Sequence, residues 1–417
     1  MRKVLIKGIG MITSLGLDRD SSFQTALSGK SAISPAPASI LEYLPHALAA
    51  QLPIGLEAKL IGTDSRLDRA TQLAMIATRE AIADAGFKPS DDQRHRVGIY
   101  AGIGLGGAQT IDSLYVRFIE QLQRPDSVHR DPTIVNPLTV PRMMANAACA
   151  GIAIENRLHG PSYTFSVACS SSAIAIGEAY RAIRHGYIDT AIVLGTEAMI
   201  NLGAYIGWNA LRVMAKPRAG APETSCRPFD AERTGFSIGE GSAAMILEAD
   251  DGSSSCQRKP YAEICGFGTN TDGTHITMPS SQGQVLALLA AIKDSGLAPE
   301  SVGYINAHGT ATDAGDVTET QTIRTVFGPH ADNLAVSSTK GAHGHTIGAA
   351  GAIEFALSVL ALQNGDVPPT ANLDQAGKGC DLDFVPRVSR KISNLEVVMS
   401  NSFAFGGTNA SLIAKRV

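Results

Sequence analysis

The sequence predicts an α/β fold, because short apolar runs typical of buried strands alternate with longer segments of helical periodicity. The chain has 417 residues, more than one hydrophobic core normally serves, so about two subdomain cores are expected. A polar stretch rich in serine, Asp250–Ser255, predicts a flexible, exposed boundary between them. We therefore expect an N-terminal half over residues 1–252 and a C-terminal half over residues 256–417.

The same patterns place the elements in chain order. In the first half, strands are predicted over Val4–Ile9, Val97–Ile103, Tyr163–Ala168, Thr190–Thr196 and Ser242–Glu248, and helices over Arg69–Ala85 and Ser170–His185. In the second half, strands are predicted over Tyr261–Thr269, Val302–Ala307, Leu334–Ser337, Val397–Ser402 and Ser411–Lys415, and helices over Gln282–Asp294, Asp316–Phe327 and Gly348–Gln363. Asp112–Thr139, with its prolines and mixed polar and aromatic residues, predicts a cap or a dimer-facing insertion.

One cysteine lies where a predicted strand gives way to a predicted helix. Cys169 follows the apolar run Tyr163–Ala168 and precedes three serines. At the first turn of a helix, unpaired backbone N–H groups stabilise a thiolate, which is the nucleophilic form. A free cysteine taken alone is more often a small buried hydrophobe, so the position needs further support.

That support comes from two glycine-rich loops in the second half. His308 lies in Asn306–Asp316, after a short apolar run, and His345 ends the segment Lys340–His345, before a helix of small residues. Loops at strand ends can turn side chains toward a common point while the scaffold beneath them stays rigid. One cysteine and two histidines at three such junctions favour a catalytic site over unrelated structural residues.

Longer motifs accompany these residues. They are Arg227-Pro228-Phe229-Asp230, Gly235-Phe236, Gly239-Glu240-Gly241 and Asn401-Ser402-Phe403-Ala404-Phe405-Gly406-Gly407-Thr408-Asn409. With them, the chain from Lys3 to Leu412 resembles a β-ketoacyl-acyl carrier protein synthase of the type II condensing enzymes, in the thiolase superfamily. The resemblance implies a thiolase-like layered αβαβα fold from two similar βαβαβ halves, although the letters themselves show no duplication.

This resemblance implies an acyltransferase that performs a decarboxylative Claisen condensation. Cys169 is expected to attack an acyl thioester and hold the acyl group. His308 and His345, as neutral N–H donors, are expected to stabilise the enolate left when malonyl-acyl carrier protein loses carbon dioxide. The backbone N–H groups of Cys169 and Phe405 are expected to form the oxyanion hole.

Further site residues also follow from the resemblance. Lys340 and Glu354 are expected to fix the orientation and tautomer of the histidines. Glu354 stands on an otherwise apolar helix and needs a partner in any case. Thr310 and Thr312 are expected to contact the amides of the pantetheine arm, with local turn formation as the alternative.

The acyl pocket is expected to involve Phe405 as a gating aromatic, together with Phe236 and Leu105. Leu105, in Gly104-Leu105-Gly106-Gly107, resembles a position that limits acyl-chain length, and a core leucine is an equally compatible interpretation. Two departures from the family pattern stand out. Ala404 replaces a glycine and restricts the backbone, and His343 replaces a residue without a ring.

No resident cofactor is expected, since phosphopantetheine arrives on the carrier protein. The histidines at 308, 343 and 345, with Cys169, superficially resemble zinc ligands. Glycine-rich spacing does not hold histidine rings on one face, and no Cys-x-x-Cys pair is present, so no metal site is predicted.

Composition excludes several classes of function. The net charge of −4 and the lack of a long basic run argue against a nucleic-acid binder. The six cysteines show no short paired spacing, which predicts reduced thiols and a cytoplasmic location. Glycines interrupt the first fifteen residues and no cleavage site follows, so a first strand is predicted there, not a signal peptide. No apolar run approaches about eighteen residues, so no membrane span is predicted.

Acyl carrier protein, in acyl and malonyl forms, is the expected partner. Arg66, Arg69 and Arg212 are candidates to meet its acidic surface, and Asn209 stands where relatives have an arginine. A homodimer is expected from the resemblance, with a heterodimer that includes a chain-length partner as the alternative.

Four other functions share this fold. A thiolase needs a second catalytic cysteine and a type III condensing enzyme needs a Cys-His-Asn set, whereas this chain offers Cys-His-His. A non-catalytic chain-length partner is disfavoured by the retention of all three residues. Fatty acid elongation is the main expectation, and a specialised polyene or polyketide pathway remains the alternative.

Overall fold

The structure is a computed structural model, and it describes residues 1–53, 55, 66–123, 135–252 and 255–417. The middle of the Asp112–Thr139 insertion and part of the Asp250–Ser255 boundary lie outside the described residues. The strands are β1 (Val4–Thr13), β2 (Ile33–Pro35), β3 (Leu48–Ala50), β4 (Val97–Gly102), β5 (Ser162–Phe165), β6 (Thr190–Glu197), β7 (Ile238–Gly239), β8 (Gly241–Ala249), β9 (Ala262–Thr271), β10 (Tyr304–Asn306), β11 (Ala335–Ser337), β12 (Asp366–Val367), β13 (Arg390–Lys391), β14 (Val397–Phe403) and β15 (Thr408–Lys415).

The α-helices alternate with these strands, as the sequence predicts. They are α1 (Arg19–Leu27), α2 (Ala38–Leu41), α3 (Arg69–Ala85), α4 (Ala108–Gln123), α5 (Thr139–Met143), α6 (Ala147–Asn156), α7 (Ser171–Arg184), α8 (Leu202–Ala210), α9 (Ser281–Ser295), α10 (Asp313–Phe327), α11 (Lys340–His343) and α12 (Ala350–Asn364). Helices α1, α2, α4, α5, α6, α8 and α11 were not predicted, and five of them have fewer than ten residues.

Ten strands form one continuous sheet in the order β11-β10-β14-β15-β9-β1-β8-β6-β4-β5. Reading outward from β1 and from β9, each half has two antiparallel pairings followed by two parallel pairings. The halves join where Val4–Ile6 pairs antiparallel with Ala262–Ile264. The duplication that the letters do not show is therefore present in the topology, and the layered thiolase-like fold is confirmed.

Two helices occupy the layer between the halves. Helix α7 connects β5 to β6, and α12 connects β11 to β14, so they hold equivalent places in the two halves. They pack on each other, while α3 and α9 cover the outer faces of the sheet. Gly351 permits the close approach, because a Cβ there would lie 2.7 Å from the backbone nitrogen of Ala173.

The central position explains why one helix is unusually apolar. By length and composition, Ile347–Asn364 could cross a membrane, although Glu354 and Ser358 interrupt its run of apolar residues. Of that stretch, 89% is buried inside the fold. Contact with protein on all sides accounts for its apolar surface, as in other core helices.

The topology decides where the functional residues meet. Cys169 precedes α7, and His345 precedes α12 by a few residues. Because the two helices are equivalent under the pseudo-symmetry, their N-terminal ends bring a residue from each half to one place. The site thus forms at the junction of both halves, although its members are far apart in the chain.

Candidate active site

Cys169 sits on a tight turn between β5 and α7. The predicted strand Tyr163–Ala168 is shorter than expected, because the chain turns after Phe165 and Ala168 adopts a φ of +52°. A non-glycine residue in this region is strained and needs support from its surroundings. The hydroxyl of Ser171 supplies it, donating to the Ala168 carbonyl at 2.6 Å and accepting from the Val167 N–H at 2.9 Å. The serines after the nucleophile therefore build its turn.

The thiol of Cys169 is almost completely buried, with 5% of the residue exposed. Burial raises its pKa to about 12, although Lys340 and the backbone N–H of Phe405 act in the opposite direction. The expectation of a thiolate stabilised by the helix is thus not met in the resting site. Cys169 rests as a thiol, and the Phe405 N–H already faces its sulfur.

His345 is the nearest ring to this sulfur. Its Nε2 lies 3.1 Å from Cys169 Sγ, and its Nδ1 accepts the backbone N–H of Ile347 at 3.2 Å. Since Nδ1 must offer a lone pair to that donor, the proton of the neutral ring sits on Nε2. Burial and Lys340 lower the pKa of His345 well below 6.5, so the neutral ring persists at physiological pH.

His308 obeys the same constraint. Lys340 Nζ lies 3.5 Å from His308 Nδ1, so an ammonium donor faces that nitrogen and the proton again falls on Nε2. Burial and Lys340 lower the pKa of His308 well below 6.5. The two rings stand edge to face, with centroids 5.5 Å apart. The site therefore holds two neutral N–H donors beside one thiol.

A buried ion pair positions the lysine. Lys340 Nζ lies 2.5 Å from Glu354 Oε1, and both side chains are fully buried. Burial raises the pKa of Glu354 to about 7, with Lys340 opposing that shift. The pair holds the ammonium beside His308, which is the arrangement expected for these two residues.

His343 lies apart from the reacting groups. Its Nε2 is 3.0 Å from Thr339 Oγ1 and 4.0 Å from Glu354 Oε1, and burial lowers its pKa to about 3. It is a fully buried neutral ring behind the Lys340–Glu354 pair and is not part of the cavity wall.

The ligand atoms of Cys169, His308 and His345 lie within 4.8 Å of one another, a spacing that a metal could bridge. A histidine that binds metal through Nε2 normally donates its Nδ1–H to a carboxylate or carbonyl. Here both Nδ1 atoms face donors, the Ile347 N–H and the Lys340 ammonium. Metal binding through Nε2 would move the ring proton to Nδ1, where it would face another N–H donor. The residues present therefore do not fit a metal.

A cavity of about 290 Å³ opens beside Cys169. Thr310, Thr312, Phe236 and Phe405 line it together with both histidines. The two threonine hydroxyls lie 3.0 Å apart, close enough to meet one substrate arm. Leu105 is not in this wall and is 55% exposed, so a core leucine does not describe it.

Phe405 is carried by a glycine turn. Gly406 and Gly407 have φ values of +86° and +77°, a conformation that glycine adopts without strain. Ala404 has no positive φ, so its Cβ imposes no backbone strain. The Gly406 N–H donates to the carbonyl of Ile276 at 2.7 Å, which ties the turn to the neighbouring loop.

The three predicted docking arginines have different surroundings. Arg69 forms a bidentate pair with Glu240, at 2.7 Å through Nε and 2.7 Å through Nη2, so its guanidinium serves the fold and the docking expectation fails there. Arg66 is exposed. Arg212 is exposed beside a second cavity of about 710 Å³, which Asn209 and Lys216 also line.

Two buried carboxylates were not predicted. Glu319 accepts the backbone N–H groups of His308 and Gly309, at 2.9 and 2.8 Å, and so fixes the histidine loop. Glu197 accepts the N–H groups of Gly104 and Gly348, at 2.6 and 3.1 Å, and so joins a loop of the first half to the start of α12. For Glu197 the signal in the sequence was an acidic residue at the end of an apolar strand, whereas Glu319 lies on a polar helix and gave no such signal.

Comparison with known proteins agrees with this geometry. The family model for the beta-ketoacyl synthase N-terminal domain matches residues 1–252, and that for the C-terminal domain matches residues 261–374. Curated relatives include 3-oxoacyl-[acyl-carrier-protein] synthase 2 of Coxiella burnetii, 37% identical over 100% of this chain and 99% of the relative. The protein of the same name from Staphylococcus aureus strain N315 is 34% identical over 100% of this chain and 98% of the relative.

Solved structures give the same result. A beta-ketoacyl synthase from Burkholderia phymatum matches with a TM-score of 0.87 and 31% identity, over 100% of both chains. The ishigamide ketosynthase/chain length factor matches with a TM-score of 0.88 and 28% identity, over 100% of this chain and 99% of that chain. With its Cys-His-His site at the junction of two thiolase-like halves, the chain belongs to the beta-ketoacyl synthase family.

Proposed function

We propose that this chain is a 3-oxoacyl-acyl carrier protein synthase that elongates acyl chains in fatty acid synthesis. The observation that carries the proposal is the pairing of one buried thiol with two histidines whose Nδ1 atoms face donors. Such rings can stabilise an enolate but cannot serve as bases through Nε2. The names of the curated relatives support the same activity.

In the first step, Cys169 Sγ attacks the acyl carbonyl of the first carrier thioester. The backbone N–H groups of Cys169 and Phe405 stabilise the oxyanion of the tetrahedral intermediate. The bond from carbon to the carrier sulfur then breaks, and the thiol proton ends on the released carrier. This leaves an acyl group on Cys169 and frees the place of the first carrier's arm for the second substrate.

In the second step, the malonyl thioester loses carbon dioxide, and the electron pair of the broken bond forms an enolate. The Nε2–H groups of His308 and His345 donate to the enolate oxygen. The enolate carbon attacks the acyl carbonyl, the carbon–sulfur bond to Cys169 breaks, and a proton from solvent restores the thiol. The product is a 3-oxoacyl thioester two carbons longer than the acyl group.

The proposal needs no resident cofactor, since the carrier brings its own phosphopantetheine to Thr310 and Thr312.

A cytoplasmic location is proposed as well. It is supported by the cysteines, since all six are buried and none forms a disulfide, as expected in a reducing compartment.

For the carrier we propose docking at the exposed Arg212 and Lys216, which rim the second cavity. The negative charge of a carrier would meet them there. Reversal of both charges should raise the KM for acyl carrier protein and leave the KM for a small acyl thioester unchanged. An unchanged KM for the carrier would reject this docking site.

A dimer is proposed through β5, which is one edge strand of the ten-stranded sheet. An open edge offers unpaired backbone groups to a second chain. Exposed apolar side chains continue this surface: Tyr115, Phe118, Ile119, Val140, Met144, Ile154 and Tyr163. A second copy of this chain is the main proposal. A chain length factor is the alternative, since such a subunit accompanies the ketosynthase ApeO of Xenorhabdus doucetiae.

The catalytic proposal is tested by intact mass measurement. The purified protein is exposed to saturated and unsaturated acyl-carrier thioesters and then to malonyl-carrier protein. An adduct that disappears as a product two carbons longer forms supports the condensation. Cys169→Ala should show no adduct, whereas Cys380→Ala, at a buried cysteine outside the cavity, should behave as wild type. An adduct on the Cys169→Ala protein would reject the assignment.

A second candidate is a ketosynthase of a specialised polyene or polyketide pathway. It is favoured by one observation, the stack of Trp208 on Phe405 beside the nucleophile. The preferred donor in the same acyl panel separates the two candidates.

A further inference from the structure

The chain has one tryptophan, and it lies behind the wall of the Cys169 cavity. The ring centroid of Trp208 is 6.2 Å from that of Phe405, with an angle of 29° between the planes. It is 5.7 Å from that of Phe236, which it meets edge to face. Since Phe236 and Phe405 both line the cavity, Trp208 supports the two rings that an acyl group on Cys169 would touch.

The two stacked rings differ in how firmly they are held. Trp208 lies on α8, whose first turn is capped by the Asn201 side chain accepting from the Ala204 N–H at 2.9 Å. One turn before Trp208, the buried Tyr205 donates its hydroxyl to the Leu48 carbonyl at 2.9 Å. Phe405 lies on the Gly406–Gly407 turn instead, and among the described residues its one aromatic neighbour is Trp208. A fixed ring therefore faces a ring on a pliable turn.

An acyl group on Cys169 would extend into apolar surroundings that include these rings. Cys169 shares a buried cluster with Met199, Phe236 and Ile347, and Trp208 packs against that cluster. Polar groups on this side are few, so recognition of the acyl chain depends on shape and on contact with the aromatic rings.

We propose that Trp208 determines acyl specificity, forming with Phe405 a two-ring clamp that favours flat, conjugated or aromatic acyl groups on Cys169. The inference rests on the condensing activity proposed above and deepens the second candidate, a ketosynthase of a specialised polyene or polyketide pathway. A layer one atom thick between two rings needs about 7 Å, two carbon contacts of about 3.5 Å each. The two rings, whose centroids are 6.2 Å apart, must move apart to admit such a layer. A saturated chain carries hydrogens above and below its carbon atoms, so it needs a wider opening and gains no stacking.

The test compares two acyl donors of equal length. Hexanoyl and 2,4-hexadienoyl thioesters of the same small thiol acylate the purified protein, and the rate of adduct formation on Cys169 is followed by intact mass. Conjugation lowers the intrinsic reactivity of the dienoyl thioester, so the dienoyl-to-hexanoyl rate ratio is compared between variants, where that factor cancels. Trp208→Leu should lower the ratio about three- to tenfold, and Trp208→Phe should keep most of it.

A control and a second readout accompany the rates. Ile206→Leu lies on the same helix, 53% exposed and outside the cavity, and should leave the ratio unchanged. Tryptophan fluorescence reports Trp208 alone, and loading of the dienoyl group should quench it more than loading of the hexanoyl group. Circular dichroism checks that each variant is folded.

The outcomes separate the two levels of the proposal. Adduct formation with an unchanged ratio in Trp208→Leu, or with no fluorescence difference between the donors, would overturn the clamp and leave the condensing function intact. Absence of any Cys169 adduct would overturn the proposed function and the clamp together.

Discussion

Replacing His345 with alanine removes the N–H group that lies 3.1 Å from Cys169 Sγ. Because the Ile347 N–H occupies the Nδ1 lone pair, the group that is lost is a donor and not a base. Loss of one preorganised donor to a developing oxyanion costs about 100- to 1000-fold in rate, or about 2.7 to 4 kcal/mol. Malonyl decarboxylation should fall by that factor.

Acylation of Cys169 should respond differently. The variant loses only a weak contact with the thiol, so acylation should slow by less than about tenfold. Release of carbon dioxide from malonyl-carrier protein measures the first reaction, and intact mass after brief exposure to an acyl thioester measures the second.

Two amide variants test the tautomer directly. Glutamine can place an N–H near the position of Nε2, whereas asparagine places its amide near Nδ1, where the Ile347 N–H already donates. His345→Gln should therefore recover more decarboxylation than His345→Asn. If His345→Ala lost acylation as fully as decarboxylation, or if asparagine rescued as well as glutamine, the assignment of His345 as an Nε2–H donor would be refuted.

Four other expectations follow from the structure. Since burial raises the pKa of the Cys169 thiol to about 12, its alkylation by iodoacetamide should rise about tenfold per pH unit from pH 7 to 9; a plateau near pH 7 would contradict the resting thiol. Lys340→Met removes the donor that faces His308 Nδ1 and should slow decarboxylation about 10- to 100-fold. In the wild type, both histidines have pKa values well below 6.5, so decarboxylation should show no loss centred near pH 6.5 as the pH falls, and a midpoint there would reject neutral histidines. Gly102→Ala would bring a Cβ within 2.2 Å of the Ser172 backbone in α7 and should lower the free energy of unfolding in urea by about 1 to 3 kcal/mol. Gly207→Ala, where a Cβ meets open space, should raise the free energy of unfolding by up to about 1 kcal/mol. Equal effects of the two substitutions would contradict the packing.

The duplicated topology explains why a site of this kind forms at all. Each half supplies a central helix, and the N-terminal end of each helix carries a reacting residue, Cys169 from the first half and His345 from the second. Glu197 joins the halves at this level by accepting the N–H of Gly348. Relative movement of the halves would therefore separate nucleophile from donor, and burial of the contact between α7 and α12 prevents it.

Local sequence was sufficient for the elements that carry the site. Cys169 stands where an apolar run ends, and His308 and His345 stand in glycine-rich loops, so each junction was recognisable from a few neighbouring residues. Arg69 was misassigned because its partner, Glu240, is 171 residues away. The core interpretation of Leu105 was wrong because exposure depends on what packs over a loop, and a single apolar residue does not reveal that.

The sequence by itself determined the α/β class, the strand and helix order and the identity of the reacting side chains, because periodicity and junction chemistry are local properties. Only the tertiary structure decided the protonation of the site. The donors at the Nδ1 atoms come from Ile347 and Lys340, and burial keeps the Cys169 thiol protonated and both histidines neutral. The Lys340–His308 contact joins residues 32 positions apart, and the exclusion of water depends on packing of both halves, so neither is encoded in a short segment.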